Sequence, residues 1–283
     1  MIVFSLIGLP DGSAVPLEGK PPLRFAVLGD IHAGNLPVAE SWTVSPVLQE
    51  ILADLEQKAP CLILTCGDFI QGYTADETLL QRQHQAVQES LSQVSAPVFP
   101  CIGNHDVREP VSEAVWRGFW GPRYYAVDVG EFLFVVLDAE LDKDVESIAG
   151  AQLDWLEKTL TEAGRKKKRV FVAGHRPYWK DYPLHKATWK GPGGRNDWTD
   201  QVEPLFHKCE TQAVFVGHQH RFERERIGGL LHIITGGAGG DVSSYTPKEG
   251  GMVHYLWVET GEKNCSYSVM EPGRAAPVFS WTS

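Results

Sequence analysis

Several things are scarce in this chain of 283 residues. No run approaches the roughly 20 apolar residues that a membrane-spanning helix needs, so no span is expected. The five cysteines form an odd set without zinc-ribbon spacing. Cys61, Cys66 and Cys101 lie in or beside apolar strand-like runs, which fits buried thiols better than a disulfide framework. Basic residues are outnumbered, 26 Lys and Arg against 36 Asp and Glu, for a formal charge of −10. That balance argues against a general nucleic-acid binder, which shows phosphates a basic face. The single basic run, RKKKR at 165–169, lies between a helix pattern and a strand pattern and reads as a solvated turn. Internal repeats and low-complexity tracts are missing. The opening MIVFSLIGLP has no basic leader, and its apolar run stops at Gly and Pro. It reads as an edge strand rather than a signal peptide, with a cytoplasmic location as the expectation.

What is present is a soluble composition, 43% hydrophobic, long enough to bury a sizeable core. Short apolar runs occur at 23–30, 61–68, 96–106, 132–140, 169–175, 213–220, 231–237 and 252–259. Helix patterns occupy 46–57, 76–92, 150–163 and 200–208. Fully apolar strands alternating with helices indicate an α/β protein with buried sheets. The last strands follow one another without a long helix, so part of the sheet system is expected to be antiparallel. The Gly-rich TGGAGGD at 235–241 lacks the strand–helix context of a dinucleotide fingerprint and reads as a loop that approaches something closely.

Five of the apolar runs end alike. They deliver Asp30 and His32, then Asp68, then Asn104, His105 and Asp106, then His175, and finally His218 and His220, each group just past a Gly. Ligands of α/β sheets bind outside the carboxyl ends of the strands, and a Gly there lets the backbone turn sharply. One such ending has ordinary structural explanations, such as a helix cap or a satisfied core histidine. Five together point to a metal site. Mixed imidazole, carboxylate and amide donors suit Mn, Fe or Zn and exclude a thiolate-type zinc, because no Cys enters the motifs. Two divalent ions carry more positive charge than Asp30 and Asp68 cancel, so the site would attract phosphate within an acidic protein. A metal pair about 3.5 to 4 Å apart acidifies bound water and stabilises both oxygens of an in-line displacement.

The motif order D-x-H, G-D, G-N-H-D, G-H and G-H-x-H resembles the calcineurin-like metallophosphoesterase superfamily. The likeness runs from about residue 23 to residue 259. It implies a four-layer α/β/β/α sandwich of two mixed sheets flanked by helices. It also implies two transition-metal ions: Asp30, His32 and His220 would hold the first, Asn104, His175 and His218 the second, and Asp68 would bridge them. His105, grouped with Asp106 as catalytic, would meet the substrate oxygen and assist the leaving group after attack by a metal-bridging hydroxide. The expected activity is hydrolysis of a phosphodiester or phosphomonoester, with a nucleotide among the candidate small substrates. A non-catalytic scaffold of the same fold is the alternative. One domain is expected over 1–283, with a motif core at 23–259, an N-terminal strand or extension at 1–22 and a C-terminal extension at 260–283.

Within the superfamily, Gln71 stands where protein serine/threonine phosphatases have Asp and purple acid phosphatases have an iron-binding Tyr. His32 is likewise absent from the purple enzymes. The compact motifs look most like the cyclic-nucleotide-phosphodiesterase-like group, which leaves the substrate open. Specificity is expected in the insert 176–198, where Arg176, Lys190 or Arg195 would meet phosphate and aromatic faces would stack a flat group. Equally, those aromatics would serve to cover the core. Trp116, Trp120 and Tyr124 are candidates for another wall of the site. His84, His185, His207, His232 and His254 are read as structural or surface residues.

Overall fold

The computed structural model describes residues 6–19, 21–34, 42–140, 148–179 and 198–283. The first part of the chain forms β1 (Ser13–Pro16), β2 (Arg24–Leu28), α1 (Pro46–Lys58), β3 (Leu62–Thr65), α2 (Glu77–Leu91) and β4 (Val98–Phe99). Next come α3 (Pro110–Trp120), β5 (Tyr125–Val129), β6 (Phe132–Val136), α4 (Gly150–Arg165) and β7 (Arg169–Ala173). The remainder forms α5 (Glu203–Phe206), β8 (Glu210–Val216), β9 (Phe222–Ile227), β10 (Leu230–Thr235), β11 (Tyr255–Thr260), β12 (Cys265–Met270) and β13 (Phe279–Thr282).

Two mixed sheets result. One has seven strands in the order β1-β5-β6-β7-β8-β10-β9, the other six in the order β13-β12-β11-β2-β3-β4. Strands β2, β3 and β4 run parallel, and so do β6, β7 and β8. Each parallel set therefore ends its strands along a single edge of its sheet. The antiparallel pairs include β2 with β11, β11 with β12 and β12 with β13, as the closely spaced C-terminal strands suggested.

Burial explains the apolar runs. β3, β6, β7 and β10 are buried at every position because each sheet is covered on both faces. Between the sheets, Phe25 of β2 meets Phe134 and Phe171 edge-on, with centroids 5.1 and 4.9 Å apart. Outside the six-stranded sheet, Leu48, Ile51 and Leu55 of α1 join Ala26, Leu28 and Ile63 in one cluster with residues of α2 and α3. Outside the other, Leu156 and Leu160 of α4 pack with Val170, Val172 and Val214. The layers thus run α/β/β/α. Ser45 caps α1 by accepting from the Leu48 amide, with Pro46 in the first turn, and Asp76 caps α2 through the Leu79 amide.

Several expectations need correction. α3 falls where no helix was expected, and it buries Trp116 and Trp120 against Phe69 instead of presenting them to the site. Tyr124 is buried too, against Trp155. The helix expected at 200–208 divides into a π-helical turn, Trp198–Val202, and the single turn of α5. Of the opening run, residues 1–5 lie outside the described residues, and the edge strand is β1 further along. Segment 260–283 supplies β12 and β13, and Tyr267 and Val269 enter the core between the sheets. Among the described residues no helix is long and apolar enough to cross a membrane.

Candidate metal centre

The loops leaving β2, β3, β4, β7 and β8 converge at one place. Asp30, His32, Asp68 and His218 hold left-handed backbone there, with φ of 61, 50, 55 and 67°. Such a conformation costs a non-glycine residue on the order of 1 kcal/mol and is concentrated at functional sites. Gly103 shows what the packing demands, since a Cβ on it would collide with the Asp68 carboxylate.

The donor atoms fall into two adjoining groups. In the first, the Nε2 atoms of His32 and His220 face each other at 3.1 Å, with Asp30 Oδ1 at 3.8 and 3.5 Å from them. In the second, His175 Nε2 lies 3.2 Å from His218 Nδ1 and 3.0 Å from Asn104 Oδ1. Asp68 Oδ2 stands between the groups, 3.2 Å from His175 Nε2 and 3.5 Å from His32 Nε2. The expected residues Asp30, His32, Asp68, Asn104, His175, His218 and His220 are therefore brought together.

Orientation of the rings tests whether cations fit. A carbonyl only accepts, so His175 Nδ1–H donates to Cys66 O at 2.7 Å and His220 Nδ1–H to Asp241 O at 2.9 Å. His32 Nδ1 is set against the Gln71 side-chain oxygen at 3.3 Å. In each neutral ring the remaining Nε2 is then a bare lone pair. Lone pairs facing one another beside carboxylates need positive charge between them, and borderline divalent metals suit this donor set.

The titration behaviour carries the same message. Burial opposes protonation of His32, but hydrogen bonds and charge from Asp30 and Asp68 overcome it and push its pKa up to about 10. His175 is likewise raised to about 9, against burial, chiefly by Asp68. Asp30 and Asp68 are lowered despite their burial by the surrounding imidazoles. His218 goes the other way, pushed well down by burial and then by His175 and Arg176.

His105 and Asp106 do different things. The His105 Nδ1–H donates to the Gln71 carbonyl at 2.7 Å, which leaves the lone pair of the neutral ring on Nε2. Burial holds its pKa below the usual value. Asp106 is fully buried. Its carboxylate accepts from the amides of Asp68, Phe69, Ile70 and Gly103 at 3.0, 2.9, 3.3 and 2.8 Å. Burial, followed by the Asp68 charge, pushes the Asp106 carboxyl up to about 8, while backbone amides pull it down. Four donors and no acceptor on its oxygens, among the described residues, make the geometry that of a carboxylate.

Arg176 is buried, and its Nε and Nη2 pair with Glu140 at 2.6 and 3.0 Å. Lys190 and Arg195 lie outside the described residues. At the ends of the same insert, Tyr178 and Trp198 stack at 4.9 Å and are buried in the core under α4. The Gly-rich loop 235–241 does make close approaches: a Cβ on Gly240 would lie 2.8 Å from the His220 ring, and one on Gly236 would strike the Gln219 carbonyl. Tyr73 escapes the sequence reading, whereas Gln71 is marked there by its position after the G-D motif. Gln71 serves both His32 and His105, and Tyr73 accepts from Asn104 Nδ2 at 2.7 Å. For Tyr73, nearness to the G-D motif was the only available signal.

Two sheets feeding such a centre define a metallophosphoesterase architecture. The calcineurin-like phosphoesterase pattern matches residues 23–222, and the chain belongs to that family. Serine/threonine-protein phosphatase CPPED1 of Bos taurus is 25% identical over 177 residues, 57% of this chain and 54% of its own length. Tartrate-resistant acid phosphatase type 5 of Rattus norvegicus is 24% identical over 297 residues, covering 88% of this chain and 86% of its own. The chain thus spans about half the length of CPPED1. In fold it is similar to a dimetal phosphatase from Danio rerio, with TM-score 0.65 at 16% identity over 93% of this chain and 99% of that one. It is also similar to GAP50, the anchor in the inner membrane complex of Plasmodium, with TM-score 0.63 at 16% identity over 93% and 88% of the two chains.

Proposed function

We propose that the protein is a binuclear-metal phosphoesterase that hydrolyses a small phosphate ester. The observation that carries this reading is Asp68 Oδ2 lying between two imidazole groups, with His32 on one side and His175 on the other. In the proposed assignment Asp30, His32 and His220 hold one ion, Asn104, His175 and His218 hold the other, and Asp68 bridges them. When bound, two ions such as Mn, Fe or Zn supply Lewis acidity and make coordinated water acidic enough to attack near neutral pH.

The chain's own groups do the rest. The histidine tautomers fixed by Cys66, Asp241 and Gln71 aim the Nε2 atoms before any ion arrives. His105 is proposed to face the leaving oxygen through Nε2; with Nδ1–H held by Gln71, the donor is the imidazolium, which gives its Nε2 proton to the departing alkoxide and is left as the neutral ring. Asp106 is proposed as a positioning residue that holds the Asp68 loop. Asn104 would contact substrate as well as metal. Arg176 is proposed to hold the wall of the site through its pair with Glu140, which offsets most of its charge; Lys190 and Arg195 keep the proposed contact with phosphate.

The relatives named above as phosphatases favour a monoester over a diester, a choice that the compact motifs leave open. The likeness to GAP50 supports the second reading, a metal-bound scaffold. Mn²⁺-loaded protein assayed on p-nitrophenyl phosphate, bis-p-nitrophenyl phosphate and cyclic nucleotides separates the two. Monoester turnover lost in His105→Ala is the expected result, and inertness across the panel would establish the scaffold.

A further inference from the structure

Tyr73 is exposed for 45% of its surface although it lies beside the buried cluster of Asp68, Asn104 and His175. Gly72 and Tyr73 both hold left-handed backbone, each with φ of 53°. Glycine is required at 72, where a Cβ would run into the His105 carbonyl. Tyrosine at 73 has no such excuse, and a bulky residue in this region is an outlier that calls for a reason. Core packing is not the reason, since the side chain is half in solvent.

The turn lays the Tyr73 ring edge-on against His105, with centroids 4.2 Å apart. It also places Oη 2.7 Å from Asn104 Nδ2. The Asn104 carbonyl oxygen faces His175, so its amide hydrogens point away from the metal side, and Tyr73 Oη takes one of them. Accepting that bond occupies a lone pair and leaves the phenolic O–H to donate elsewhere. Among the described residues no acceptor meets it. The Arg108 guanidinium lies over the Tyr73 ring at 5.5 Å, which favours an anion on this side of the centre.

We infer that Tyr73 is a substrate-contacting residue whose phenolic O–H donates to a non-bridging oxygen of the phosphoryl group, beside the Asn104 amide and His105. This rests on the phosphoesterase reading above. Tyr73→Phe removes only the hydroxyl and keeps the ring against His105; because it also takes an acceptor from the buried Asn104 amide, metal content is measured beside phosphate binding.

The test uses the full chain loaded with Mn²⁺, with metal content by elemental analysis and inorganic phosphate binding by calorimetry. Wild type and Tyr73→Phe are expected to hold two ions each, with phosphate binding about tenfold weaker in the variant, the loss of one hydrogen bond to a charged group. KM for p-nitrophenyl phosphate should rise by a similar factor, with kcat less affected. Phosphate affinity within twofold of wild type overturns the contact and leaves the phosphoesterase reading standing. A variant that holds fewer than two ions also overturns it, restricting Tyr73 to support of Asn104. Metal-loaded wild type that binds no phosphate overturns both readings.

Discussion

Changing Asp106 to Asn replaces one carboxylate oxygen with an NH₂ group inside a fully buried site. Oδ1 now accepts from the Phe69 and Ile70 amides, and Oδ2 accepts from those of Asp68 and Gly103. An asparagine serves one of these pairs with its carbonyl and turns donors toward the other. Two buried N–H groups then lose their acceptor, at about 1–3 kcal/mol each, so Asp106→Asn should cost about 2–6 kcal/mol. The damage falls on the loop that holds Asp68 in left-handed backbone, so metal retention should decline together with stability. Urea denaturation followed by circular dichroism measures the first effect, and metal content after dialysis measures the second. A variant within about 0.5 kcal/mol of wild type, with its metal intact, would refute the assignment of Asp106 as the anchor of that loop.

Other outcomes are equally specific. Gly103→Ala drives a methyl into the Asp68 carboxylate, whereas Gly118 in α3 has open space around the added Cβ. The first should lower metal content and stability, and the second should raise stability by about 0.5–1 kcal/mol, both read from thermal melts. Titrating Mn²⁺ into chelator-stripped protein should raise the melting temperature continuously, reaching about 2.7 kcal/mol of added stability per ion at a hundredfold excess over Kd. A flat response would count against a metal centre. His84 accepts from Trp120 Nε1 at 3.0 Å, and burial depresses its pKa to about 3. The unfolded chain therefore binds a proton below pH 6.5 that the folded one refuses, and stability falls as pH falls. Between pH 7 and 5 that loss is about 2 kcal/mol. Denaturation curves of His84→Phe should lack this component of the slope.

The contrast between Asp30 and Asp106 shows what the sequence could disclose. Asp30, His32, Asp68, His175 and the Gly217–His220 stretch each follow an apolar strand directly, so the chemistry sits next to its structural marker. Asp106 lies within an equally visible motif, but its partners are amides of residues 68 to 70 on a neighbouring loop. Only tertiary structure brings that loop to it. Tyr73 was hidden for a similar reason: two left-handed residues reverse the chain, and periodicity carries no trace of such a turn. α3 was obscured by Trp116 and Trp120, whose bulk beside G-N-H-D suggested a substrate wall when it in fact fills the space under a helix. The burial of Tyr178 and Trp198 follows the same rule, by which large aromatics near a site more often pack than bind.

The converging loops come from both sheets. Asp30 and Asp68 follow strands of the six-stranded sheet, while His175, His218 and His220 follow strands of the other. The His218 amide donates to Asp30 across 188 positions of chain. A fragment folded as either sheet alone would hold only part of the donors, and a chain with misaligned sheets would scatter them. Metal uptake would then report on the seating of one sheet against the other, and bound ions would act as rivets through the sandwich, closing a loop that is entropically expensive to close by any single contact.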